Sequence, residues 1–310
     1  MGHSLLIVPI PEWSSVAPTL RLAKTLGHRG IQISYLTAPK FEPDICKVGA
    51  RLFSVQQSHQ EGDSIRRFRS LGESFKYYPN GSQFDILASR LAFLREAIPI
   101  DLMLLDRGLA SIQNSRLLRI VGLEKSVAFS SSMFNWDDMN REALPIPTLV
   151  FCPEVFELPA FRFPVSNVYH VECSFPPIHA DIGPTKTTVD VLVSLGPSPV
   201  HYPKSKRTLE IISNVVARNS NLHFAVADNL HKQLSALQDM VMAPNVRFCN
   251  QLQIADELKH AKVFVTNGGI GDIKESIASA VPMIVLPLIS EQAFNAMRIR
   301  LHGLGAAIYP

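Results

Sequence analysis

The feature that most limits how this chain folds is the regular exchange of two hydrophobic periods along its length. Short apolar runs of strand length recur at residues 5–10, 31–37, 51–55, 102–106 and 126–130. Stretches with helical spacing, such as 17–29 and 84–97, lie between them. Runs this short and this continuously apolar suit strands buried on both faces, and strand, amphipathic helix and strand in succession make a βαβ unit. A second series follows at 189–195, 223–227, 246–249, 262–266, 283–288 and 306–309. The expected fold class is therefore α/β, with two Rossmann-like, doubly wound parallel-sheet domains carrying helices on both faces of each sheet.

A chain of 310 residues exceeds one ordinary core and suits two. The best boundary is Ser174-Phe-Pro-Pro-Ile-His-Ala-Asp-Ile-Gly-Pro184, which is rich in proline and has no periodicity. It places one domain over residues 1–175 and a second over 186–310. The net charge of +3 implies no polyanionic partner, and basic residues such as Arg66, Arg67 and Arg69 read as solvated faces, so no nucleic acid is expected. The longest apolar stretch, 278–289, contains two prolines and is too short for a membrane span. The four cysteines show no metal or redox spacing, and the N-terminus enters a strand with no basic leader. A cytoplasmic protein with no membrane span is expected, with homo- or hetero-oligomers left open.

Chemistry concentrates in one segment. The strand at 262–266 runs into Asn267-Gly-Gly-Ile-Gly-Asp272-Ile-Lys-Glu275, then Val281-Pro282-Met-Ile-Val-Leu-Pro287, then Glu291-Gln292-Ala-Phe-Asn295-Ala296. Gly268, Gly269 and Gly271 permit close approach of backbone to a ligand, and a helix that starts here points its free N–H groups at an anion. The same glycines also suit a tight turn needed only for packing. Asp272 reads as an N-cap, with Glu275 completing a variant capping box.

This run resembles the donor-sugar signature of family 1 glycosyltransferases, the nucleotide-sugar enzymes of macrolide-transferase and UDP-glucosyltransferase type. Further likenesses are Pro11-Glu-Trp-Ser-Ser15 after the first strand, Asp101-Leu-Met-Leu-Leu-Asp106 at the fourth, and Val191-Leu-Val-Ser194-Leu-Gly196 opening the second domain. The resemblance covers nearly the whole chain and implies a GT-B fold, two domains facing a cleft. It implies sugar transfer, with inversion, from a nucleoside-diphosphate sugar to a small hydroxylated acceptor. No cofactor is implied beyond that co-substrate, a UDP- or dTDP-sugar, and no metal. Glu275 would hold ribose hydroxyls, Glu291 and Gln292 the sugar, and Asn295 stands in its family position.

Several positions depart from the family. Ser15 stands where the family has its general-base His, and Asp106 where it has the Asp that orients that His. A serine cannot take a proton near neutral pH without a base beside it. Ser15 with Asp106, or Asp106 through water, could serve an easily ionised acceptor such as a phenol. Taken alone, Ser15 reads as a loop hydroxyl and Asp106 as an acid that ends a strand. Asn267 replaces a phosphate-contacting His, and Asp272 replaces a Ser or Thr. Two unit charges about 4 Å apart repel by roughly 4 kcal/mol at an effective dielectric near 20, about a thousandfold in affinity. Pro197 removes an N–H from the loop after the opening strand, and residues 250–253 lack the family's stacking aromatic. The stretch before Thr148 is short for the family's acceptor region, and the family pattern continues with helices beyond Tyr309. These departures motivate an alternative, a catalytically degenerate homologue that acts as a scaffold or partner protein.

Overall fold

The computed structural model describes residues 2–11, 13–54, 82–110, 116–131, 144–159, 167–171, 189–196, 205–227, 244–249 and 254–309. The expected boundary segment 174–184, Arg66 to Arg69, Pro197, residues 250–253 and the Trp13 side chain lie outside the described residues. By contacts the chain divides into two compact units, one built on each of two sheets, and the stretch beginning at Phe156 clusters with the second.

The first sheet has seven strands, and every pairing is parallel. They are β1 (Ser4–Val8), β2 (Gln32–Thr37), β3 (Arg51–Ser54), β4 (Leu102–Asp106), β5 (Ser126–Ser130), β6 (Thr148–Val150) and β7 (Val168–His170), in the spatial order β3-β2-β1-β4-β5-β6-β7. Period-two alternation splits their side chains between two cores. Leu6, Val8, Met103 and Leu105 pack with Ala88, Leu91 and Leu94 of the helix Ser82–Ala97. Leu5, Ile7, Leu104 and Phe129 pack with Val16 and Ala23 of the helix Trp13–Gly27. Both faces are thus covered, which is why the strands carry no polar alternation. Each fully buried Leu or Ile contributes about 1.5–3 kcal/mol.

The second sheet repeats the plan with six parallel strands. They are β8 (Val189–Ser194), β9 (Phe224–Ala227), β10 (Val246–Cys249), β11 (Ala261–Thr266), β12 (Met283–Val285) and β13 (Gly305–Ala307), ordered β10-β9-β8-β11-β12-β13. Val193 and Leu195 pack on Leu209, Ile212 and Val216 of the helix Ser205–Arg218. In each sheet the chain builds outward on one side and then returns to the other side of its first strand. The reversal falls between β1 and β4 in one sheet and between β8 and β11 in the other. At such a point the loops leaving the two strands diverge and leave a crevice at their carboxyl ends. Among the described residues no helix is long and apolar enough to cross a membrane.

Candidate active site

The register of the first sheet brings two distant residues together. Val8 stands opposite Leu105, so Asp106 lies beside the exit of β1. The helix Trp13–Gly27 starts just beyond that exit and carries Ser15 in its first turn, not in a loop. Ser15 is 3% exposed and Asp106 7%. The Ser15 hydroxyl donates to Asp106 Oδ2, while the Ile10 amide donates to Ser15 Oγ at 3.2 Å. Asp106 Oδ1 accepts the Gly108 amide at 2.8 Å. Burial raises the Asp106 carboxyl to about 6, against the lowering effect of the Ser15 and Gly108 hydrogen bonds.

Carboxylates at the opposite ends of the strands behave the other way. Asp101, just before β4, accepts the Ser4 amide at 2.8 Å, and that bond holds it below its ordinary value. Asp190 accepts the His223 amide at 2.9 Å and Lys262 Nζ at 2.7 Å, and it falls to about 2. These two stitch strand starts together in their ionised form. The acids raised toward neutrality sit at the carboxyl ends, where α/β sheets do their chemistry.

On the second sheet β11 ends at Thr266 and the turn 267–269 leads into the helix Ile270–Ala278. Gly268 has φ +86°, and a Cβ there would stand 2.7 Å from Val285 Cγ1, so only glycine fits this turn. Asn267 spends its side chain on the turn itself. Its Nδ2 donates to the Leu195 carbonyl at 2.7 Å, and its Oδ1 accepts the Gly269 amide at 3.1 Å. Nothing lies within 4 Å of a Cβ built on Gly271, and Gly271 is exposed.

The expected capping box does not form. The N-cap of this helix is Gly269, and no side chain caps it. Asp272 lies three residues further on and accepts the Thr266 hydroxyl at 2.9 Å. The carboxylate bonds back to the end of β11 instead of capping the helix. Asp272 keeps partial exposure, yet desolvation by the turn around it raises the carboxyl to about 6; the Thr266 bond opposes the rise and Glu275 adds to it. Glu275 is raised as well, by desolvation first, with Lys259 opposing.

The other expected donor-side residues lie on the helix Ser290–Leu301. Glu291 is in its first turn and partly exposed. Gln292 is buried, and its Oε1 accepts the Leu288 and Ile289 amides at 2.8 and 3.3 Å. Asn295 is fully buried and donates to the Gly268 carbonyl at 3.0 Å, so it braces the glycine turn from below. Sequence reasoning missed three participants: Thr266, Arg298 and Glu157. Arg298 follows Asn295 by three residues, which places it on the same helix face, and that spacing was the available signal. Glu157 carries no such signal, because its partner is 141 residues away.

Comparison with known proteins bears on both sheets. The family model described as UDP-glucoronosyl and UDP-glucosyl transferase matches residues 226–309. UDP-glucuronosyltransferase 3A1 of Xenopus laevis is 42% identical over 69 residues, 22% of this chain. The chain spans only 13% of that relative's length. NDP-glycosyltransferase YjiC of Bacillus licheniformis is 22% identical across 100% of this chain and 86% of its own. The solved glycotransferase of kitacinnamycin superposes with a TM-score of 0.73 at 20% identity, covering 99% of this chain and 86% of that one. These likenesses bear out the expected resemblance and the expected GT-B fold.

Proposed function

We propose, from the family match over residues 226–309, that this chain is a glycosyltransferase of the family 1 type. It moves a sugar from a nucleoside-diphosphate sugar, a UDP- or dTDP-sugar, to a small hydroxylated acceptor with inversion. The observation that carries the reading is that the matched segment holds the glycine turn and the uncapped helix Ile270–Ala278. That helix end suits an anion, since its first amides have no side-chain acceptor.

In this reading the acceptor oxygen attacks the anomeric carbon as the bond from that carbon to the diphosphate breaks. The bonding pair leaves with the diphosphate, whose growing charge the helix amides stabilise. The acceptor proton passes to Ser15 Oγ while the Ser15 proton passes to Asp106. Asp106 is the base and Ser15 the relay. A base poised near 6 works best on an acidic hydroxyl, so phenols are the favoured acceptors. Glu275, Glu291 and Gln292 hold the ribose and the sugar. Among the described residues Cys46, Cys152 and Cys249 stand outside any disulfide, which accords with a cytoplasmic setting.

The test incubates purified protein with UDP- and dTDP-sugars and a panel of simple phenols, then looks for glycoside by mass and for its anomeric configuration. Calorimetry with UDP, dTDP and GDP, with and without magnesium, runs beside it. Micromolar binding of one nucleotide and an inverted glycoside support the reading. No binding at millimolar ligand together with no product sinks it.

A further inference from the structure

We propose that Asp272 couples donor binding to the uptake of one proton, so that the glycine turn takes a diphosphate when this carboxyl is neutral and rejects it when charged. The inference rests on the donor-side reading above and concerns how that same site is controlled.

Its basis is the placement of the acid. Asp272 lies in the first turn of the helix whose amides would hold the diphosphate. Its Oδ2 takes the Thr266 hydroxyl at 2.9 Å, and Thr266 Oγ1 itself accepts the Gly268 amide at 3.2 Å. The carboxyl is therefore tied through one fully buried threonine to the turn that carries the glycines. It cannot swing away from an incoming anion without giving up that bond. A charged Asp272 would oppose a diphosphate about a thousandfold in affinity. A neutral one keeps one oxygen for Thr266 and gains an O–H that can donate to a phosphate oxygen.

Among the described residues the one charge that acts on it directly, Glu275, favours the neutral form. Glu275 lies one turn along the same helix and acts on Asp272 directly. Asp256 and Lys259, from the helix Ile254–Leu258 and the turn after it, act on Glu275 with opposite signs. Lys274, on the same helix, is buried. Desolvation together with Glu275 brings Asp272 to about 6, so the change in charge falls within a pH range that cells reach.

The test is calorimetric titration of the wild-type chain, Asp272→Ser and Asp272→Asn with UDP-glucose and dTDP-glucose from about pH 5 to about pH 8. These donors are used in place of free UDP because their diphosphate does not titrate there. Wild-type affinity should fall about tenfold per pH unit above about pH 6, whereas both variants should be flat and bind about a hundredfold tighter at pH 8. A flat wild-type profile, or a slope retained in the variants, overturns the proton coupling while donor binding stands. Absence of binding in all three proteins at every pH overturns the donor reading and this inference with it. Two variants are used so that a folding defect in one leaves the comparison intact.

Discussion

Arg298 donates through Nε to Glu157 Oε1 at 3.0 Å, with both side chains removed from water. Its Nη1 donates to Asn295 Oδ1 at 2.9 Å, and Asn295 passes the connection to the Gly268 carbonyl at 3.0 Å. A buried ion pair thus stands at one end of a hydrogen-bonded chain whose other end is the glycine turn.

Breaking that pair from one side leaves an uncompensated buried charge. Glu157→Leu should cost about 3–5 kcal/mol in urea unfolding, because it strips the buried Arg298 of the Glu157 carboxylate. The double variant Glu157→Leu with Arg298→Met should recover most of that loss. A double variant as unstable as the single one would show that the pair is worth more than its desolvation cost.

Ser15→Ala removes the relay and also one of the bonds that hold Asp106 down. The expected result is a fall in kcat/KM with a phenol by about 10²–10⁴, and an acid limb of the pH–rate profile shifted upward from about 6. An unchanged rate and limb would assign the proton to another route.

Asp106 should make the fold less stable as pH rises. Its carboxyl is raised in the folded state, so between about pH 4 and about pH 6 the native chain binds more protons than the unfolded one, and stability declines across that window. Asp106→Asn should abolish transfer yet be more stable than wild type at pH 8 by about 3 kcal/mol, melting at a higher temperature, with the gap closing below about pH 4. Thermal melts at the two pH values check this. A gap independent of pH would mean the carboxyl is not raised.

The glycines of the turn should separate packing from binding. Gly268→Ala forces a Cβ toward Val285 at positive φ, so it should destabilise the second unit by about 1–3 kcal/mol and lose nucleotide binding together. Gly271→Ala meets open space and should leave thermal unfolding within about 0.5 kcal/mol of wild type. Nucleotide calorimetry on a normally folded Gly271→Ala then reports whether ligand approaches there.

Most of the fold was legible because buried parallel strands are written as short apolar runs. The strands expected at 102–106, 126–130 and 246–249 appear with those limits, and the others within a residue or two or as shorter pieces of the expected run. The site was legible in part. Asp106 and Ser15 were paired in sequence reasoning by family likeness, and the structure supplied the contact. The capping role read for Asp272 failed because local spacing cannot show that Thr266, on the strand before it, offers the carboxylate a competing donor.

By itself, then, the sequence determined the order of elements, the parallel sheets and the position of the glycine turn, since hydrophobic period and glycine's backbone freedom act over a few residues. Only the tertiary structure decided which side chains meet. Ser15 reaches Asp106 across 91 residues because β1 and β4 are neighbours. Arg298 reaches Glu157 across 141 because the stretch from Phe156 packs with the second unit. Asp106 and Asp272 are raised toward neutral pH because the folded chain takes water away from them. Desolvation belongs to the packed chain as a whole, and no local pattern of residues encodes it.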